Sequence, residues 1–314
     1  MSRLRIIEPE ESACPHWREV LSEFQRHKQL DGISEQTAHD YDRTVNLLFK
    51  RYPNAWDSME ALKEAVFTHM SDDIKPATFN SRLTYLRAFF KYCVGQGYIS
   101  ANPLANLKKR KIENRAVAVE TDVLKSLLDA PDQKTFAGLR DYTLILLTLD
   151  TGIRPSEALS LLPQDFNYSA QEIYVPSKVA KSRIARTLPI CDITIKSIRK
   201  LISVRAEEWS DDVPIFCTYE GRKLNRHTWG DRLELYGKQI GKHIRPYDLR
   251  HVFALEFLRN GANAFATQRA LGHATMEMTR RYIALVNDDL KAQHSKASPV
   301  QKLTAKTKRR GAIT

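Results

Sequence analysis

Apolar residues recur at three- and four-residue intervals through the first hundred positions. Phe79, Leu83, Leu86, Phe89, Phe90 and Cys93 fall on one helical face, and Tyr41, Val45, Leu48 and Phe49 on another. Ser34-Glu35-Gln36-Thr37 and Pro76-Ala77-Thr78 read as helix starts, because a hydroxyl accepts from free backbone N–H groups and proline fits the first turn. Residues 12–103 are therefore expected to form a helical bundle. The pattern breaks at Gly97-Tyr98-Ile99-Ser100-Ala101-Asn102-Pro103, and Lys108, Lys109, Arg110 and Lys111 then follow without core periodicity. Residues 104–117 read as a basic connector, either solvated or touching phosphates.

Periodicity returns in residues 118–295. Thr121 is expected to cap a helix through Val123, Leu124, Leu127 and Leu128, and 139–149 is apolar nearly all round, as in a buried helix. Two β-prone runs, 172–175 and 185–190, flank the basic stretch Ser177 to Arg183 and predict a hairpin with a cationic tip. Helices are expected again over 192–205 and from Leu249 to about Asn260, with Gly261 as a left-handed cap. Residues 296–314 carry six cations, no acid and few large apolar groups, which predicts a disordered basic tail. The fold class is mainly α: a helical N-terminal domain, then a mixed, mostly α domain with a small β-sheet.

Composition narrows the partners. The formal charge of +12, from 49 Lys plus Arg against 37 Asp plus Glu, points to a polyanion, and double-stranded DNA becomes the expected partner once the motifs below are added. Four scattered cysteines form no Cys-x-x-Cys pair, so neither a zinc ribbon nor a disulfide framework is written. The acidic pairs Asp72-Asp73, Asp211-Asp212 and Asp288-Asp289 lack supporting motifs, so no metal site and no cofactor are expected. No run of about 18 apolar residues occurs and the first residues lack a signal-peptide core. A cytoplasmic, nucleoid-associated protein without a membrane partner is expected.

Tyr282 stands nine residues after His273 of Leu271-Gly272-His273, downstream of Thr151-Gly152-Ile153-Arg154 and Tyr247-Asp248-Leu249-Arg250-His251. Attack by a phenol on a phosphodiester needs charge stabilised on the transition state, a proton removed from the phenol and a proton given to the leaving 5′ oxygen. Arginine forks suit the first task, and Arg154 and Arg250 are the candidates. Lys178 or Lys181 on the hairpin tip could protonate the leaving group, and His273 could bind the phosphate or move a proton. Singly, each has a plain reading: a surface arginine, an ion pair of Arg250 with Asp248 or Glu256, a half-buried tyrosine. Core packing alone would not place all of them in this order.

These motifs resemble those of the tyrosine recombinases, or phage-type integrases, over roughly residues 12–295. Thr151 to Leu159 resembles their first catalytic box, with Glu157 as its acidic residue; Tyr247 to His251 resembles the His-x-x-Arg box, with Tyr247 in the histidine position; and Asn102-Pro103 resembles the end of their core-binding domain. The resemblance implies a C-shaped DNA clamp and catalytic roles for Arg154, Lys178, Tyr247, Arg250, His273 and nucleophilic Tyr282. Lys181 is the alternative lysine, Arg183 follows it, and Ile184-Ala185-Arg186 reads as an insertion. It also implies a simple Xer-like or transposon-borne kind without an arm-binding domain. Such a protein would act as a homotetramer in synapsis and a monomer when free, with the segment after Tyr282 docking into a neighbouring subunit.

A phenol is a poor base at neutral pH, its ordinary pKa of about 10 lying far above the 6.5 of histidine, so altered proton transfer is expected at Tyr247. His251, one residue past Arg250, is expected on another helical face and outside that role. Three other readings remain. A metal-dependent nuclease would lose activity in chelator, a type IB topoisomerase would relax supercoils without recombinants, and a catalytically impaired DNA-binding homologue would form no covalent adduct.

Overall fold

In the computed structural model the chain divides into two compact units, Met1–Asn114 and Arg115–Thr314. The structure describes residues 15–112, 119–283, 294 and 298–300. The expected basic tail and the segment following Ile283 fall largely outside them.

The first unit is built from α1 (Trp17–Leu30), α2 (Glu35–Arg51), α3 (Met59–Met70) and α4 (Pro76–Gly95). Ser34 caps α2 by accepting from the Thr37 N–H at 3.2 Å, and Pro76 opens α4. The two apolar stripes face inward: Val45, Leu48, Leu83, Leu86, Phe89 and Phe90 are fully buried, as is Phe24 on α1. Each such side chain contributes roughly 1.5–3 kcal/mol on leaving water. Leu104 belongs to the same core. Asn102 bridges to the Arg87 carbonyl at 3.0 Å, and Arg87 donates to the carbonyls of Leu104 and Leu107. Arg110 lies 3.9 Å over the Phe79 ring and exchanges two 2.8 Å hydrogen bonds with Asn80. The chain therefore stays on the bundle through Arg110, well past Pro103.

The second unit is organised around α6 (Phe136–Thr151), which packs on α8 (Asp192–Ser203) and α10 (Pro246–Arg259). Before it lies α5 (Thr121–Asp129), where Thr121 is the first helical residue and Glu120 holds the cap position without a side-chain bond. The expected Thr121 cap therefore lies one position too late. Three strands, β1 (Phe166–Asn167), β2 (Glu172–Val175) and β3 (Arg186–Pro189), form an antiparallel sheet in that order. Ile173 pairs with Leu188 and Val175 with Arg186, as in the expected hairpin. The sequence pattern does not announce α9 (Arg226–Gln239), which buries Trp229, Leu233 and Tyr236. Its Arg232 and Tyr236 donate to Asp141, a fully buried carboxylate on α6 that also accepts from Arg140, so this polar core network is fully paired. Short helix α7 (Pro155–Ala158) packs on α6, while α11 (Ala264–Leu271) and α12 (Glu277–Ile283) pack on α10 and on each other. Both units are mainly helical, and among the described residues no helix is long and apolar enough to cross a membrane.

Candidate active site

Helix α6 ends at Gly152 in the left-handed conformation, φ +63°, where a Cβ would stand 2.2 Å from Phe253 Cδ1. The turn delivers Arg154 to the start of α7 with its side chain buried. Arg154 Nη1 donates to Glu157 Oε1 at 3.0 Å and Nη2 donates to the Gly272 carbonyl at 2.9 Å. Arg250, on α10, donates to the Gly152 carbonyl at 2.6 Å and through Nη2 to the Leu271 carbonyl at 2.8 Å. The two guanidinium groups thus meet successive carbonyls at the end of α11. Gly272, at φ +59°, then turns the chain into His273.

Glu157 is the hub of this cluster. It is fully buried, and besides Arg154 it receives Arg186 Nη2 at 2.6 Å and the Lys181 backbone N–H at 3.1 Å. Burial alone would raise its pKa, but the hydrogen bond and charge of Arg186, with Arg154, hold the carboxyl below its ordinary value. One carboxylate thus faces three buried guanidinium groups. The Arg250 pKa is accordingly pushed down to about 9, first by burial and then by Arg154. Arg186 reads as part of an insertion in the sequence, yet it opens β3 opposite Val175 and also donates to the Ala270 carbonyl at 3.2 Å. The period-two alternation Arg186, Leu188, Ile190 is the signal that could have turned it inward. Its Nη1 is buried without a partner among the described residues.

His273 is buried, with Nδ1 2.8 Å from the Thr279 hydroxyl. Burial first, then Arg250 and Arg154, push its pKa down to about 3, so the imidazole is neutral at pH 7. Its ring lies parallel to that of Tyr282, centroids 6.3 Å apart. Tyr282, on α12, is 3% exposed. Its hydroxyl is 2.6 Å from His251 Nδ1 and 3.5 Å from Arg281 Nη2. This corrects the expectation that His251 stands apart: it does leave the Arg250 face, but the face it takes is the one α12 packs against. Tyr247, one turn earlier on α10, is half-exposed in an open cleft with Arg226, His243 and His251.

Both candidate lysines are exposed in the loop between β2 and β3, but only the Lys181 backbone is tied to Glu157. Arg183, exposed in the same loop, takes φ +56°. Lys108, Lys109 and Lys111 are exposed on the first unit, while Arg110 is held on Phe79. Among the described residues no group of three or more His, Cys, Asp or Glu side chains could hold a metal ion.

A tyrosine hydroxyl beside imidazoles and a cluster of undercompensated arginines, on a helical unit with a small antiparallel sheet, defines an enzyme class that breaks and rejoins DNA through tyrosine. The chain belongs to the phage integrase family, whose model matches residues 118–288. It is 31% identical to the tyrosine recombinase XerC of Azotobacter vinelandii over 285 residues, 90% of this chain and 88% of that one. It is 26% identical to XerC of Pelobacter propionicus over 300 residues, 93% of this chain and 92% of that one. Among solved structures, the fold is shared with the Tn1549 transposon integrase in complex with a circular-intermediate DNA, at TM-score 0.71 and 17% identity over 88% of this chain and 98% of that one. It is shared too with a lambda integrase tetramer bound to a Holliday junction, at TM-score 0.67 and 16% identity over 86% of this chain and 78% of that one. The chain is accordingly a site-specific recombinase of the tyrosine class.

Proposed function

We propose that the Tyr282 hydroxyl attacks the scissile phosphate, forming a 3′-phosphotyrosyl link and releasing a 5′-hydroxyl. A 5′-hydroxyl from a partner strand then reverses the step, so the energy of the phosphodiester is conserved. The observation that carries this is the convergence of Arg250 and Arg154 on the carbonyls of Leu271 and Gly272, immediately before His273. Among the described residues Arg250 meets only carbonyls and Arg154 shares the single Glu157 carboxylate with Arg186, whereas phosphate oxygens would supply the missing negative charge.

In this reading Arg154 and Arg250 hold the non-bridging oxygens and stabilise the transition state. His273, kept neutral, offers a hydrogen bond to the same phosphate, as does the Tyr247 phenol. Lys178 donates the leaving-group proton, with Lys181, whose backbone N–H is bonded to Glu157, as the substitute. Lys108, Lys109, Arg110, Lys111 and Arg183 would meet backbone phosphates, a term that weakens as salt rises. The partner is duplex DNA, bound by a homotetramer during strand exchange and by a monomer before it, and the reaction integrates, excises or resolves a DNA element at the nucleoid.

The test uses a duplex selected from a random-sequence library for binding to the full chain, nicked so that the short released strand diffuses away. The unaltered chain should give a covalent adduct that survives denaturation, and Tyr282→Phe should bind the same duplex without forming it. An adduct that persists in Tyr282→Phe contradicts the reading.

A further inference from the structure

We propose that His251 accepts the proton of the Tyr282 hydroxyl as that oxygen attacks phosphorus, a deepening of the proposed function that rests on Tyr282 being the nucleophile. Tyr282 is 3% exposed, so its proton needs an acceptor inside the site rather than bulk water. His251 Nδ1 stands 2.6 Å from the hydroxyl oxygen. Arg281 Nη2 approaches the same oxygen at 3.5 Å, and its guanidinium carbon lies 5.0 Å over the Tyr282 ring. A cation on the acceptor side of that oxygen directs the hydroxyl proton at Nδ1, which accepts it in the Nε2–H tautomer. His273 is otherwise engaged: its Nδ1 meets Thr279 and its ring lies parallel to the phenol rather than end-on to the hydroxyl. Tyr247 stands one helical turn before His251, so the two share a face of α10, with the imidazole next to the nucleophile and the phenol half-exposed.

The surroundings keep His251 ready to accept. Burial first, then Arg281, hold its pKa below the ordinary 6.5; Arg250 and Arg245 act in the same direction and Asp248 opposes them. From α9 and the chain after it, Arg226, His227, Asp231, Glu234 and His243 line the cleft beside it. The Tyr282 O–H bond breaks and its proton passes to His251 Nδ1, the phenolate forms the O–P bond, and the P–O5′ bond breaks. The 5′ oxygen takes a proton from the leaving-group lysine. On resealing, the His251 imidazolium returns its proton to Tyr282.

The experiment measures the rate of adduct formation on the selected nicked duplex for the unaltered chain, His251→Gln, Arg281→Gln and Lys178→Ala. His251→Gln keeps a hydrogen-bond acceptor without proton affinity and should slow the reaction on the order of 100-fold at pH 7, with unchanged duplex affinity and melting temperature. That loss should shrink by about tenfold per pH unit on raising the pH, as hydroxide replaces the imidazole. The acid limb of the unaltered chain should lie below pH 6.5, and Arg281→Gln should move it upward because a cation that depresses the imidazole is gone. A 5′-bridging phosphorothiolate, whose thiolate leaves without a proton, should rescue Lys178→Ala and leave His251→Gln slow. His251→Gln reacting at the unaltered rate, a loss that is the same at every pH, or rescue by the phosphorothiolate would each overturn the assignment. An unaltered chain that forms no adduct sinks the nucleophile reading itself, and this one with it.

Discussion

Glu157 is a buried carboxylate shared by Arg154, Arg186 and the Lys181 backbone, and removing its charge leaves two buried guanidinium groups facing each other uncompensated. Glu157→Gln is expected to cost roughly 3 kcal/mol or more in denaturant unfolding and to abolish adduct formation. Unchanged stability would show that the cluster is solvated rather than buried. At this scale Arg154, Arg250, His273 and Tyr282 were legible because each sits in a short motif with a glycine turn or a fixed interval. Arg186 and His251 were not, since what defines them is a partner 29 and 31 residues away, Glu157 and Tyr282. Helical facing says which residues a side chain leaves behind. It does not say which element packs on the face it joins.

Two glycine turns do the positioning at the scale of elements. Gly152 ends α6 and starts the Arg154 turn, and Gly272 ends α11 and starts the His273 turn. A Cβ on Gly272 would lie 3.0 Å from the Arg186 guanidinium and would force a residue with a Cβ into left-handed geometry, at about 1–2 kcal/mol. Gly272→Ala should therefore lower stability modestly while slowing adduct formation on the order of tenfold or more, because Arg186, Arg154 and His273 shift together. Equal losses in folding and chemistry, measured by thermal unfolding and adduct rate, would argue against a positioning role. The helices with clean apolar stripes, α2, α4 and α6, were visible in the sequence, as was the β2–β3 hairpin. Helix α9 was not, although Asn225 caps it and Trp229, Leu233 and Tyr236 recur at helical spacing; its many polar residues, one of them an arginine paired across to Asp141, blurred the stripe.

The whole molecule folds as two units with separate hydrophobic cores, and each carries a buried histidine beside arginines. In the first unit His69 is fully buried, Arg51 lies 3.1 Å from its Nδ1, and burial, Arg82 and Arg51 push its pKa down to about 4. As pH falls through 6.5, the unfolded chain takes up a proton at His69 that the folded unit refuses until about pH 4, so stability drops across that window. Denaturant unfolding from pH 7 to pH 4 should show this decline for the first unit, and His69→Phe should flatten it. A slope identical in His69→Phe would assign the acid sensitivity elsewhere. The charge of +12 belongs to this scale too, and by itself points to a polyanion. Charge could not say which chemistry is performed there; that came from the order of Arg154, Arg250, His273 and Tyr282.

The most direct test is to digest the covalent adduct formed on the nicked duplex and read, by mass spectrometry, which residue carries DNA and through which end. The account predicts a single linkage, a 3′-phosphate esterified to the Tyr282 oxygen, from which an added strand with a free 5′-hydroxyl releases the protein in joined DNA. Attachment through a 5′ end, or to any residue other than Tyr282, would contradict it.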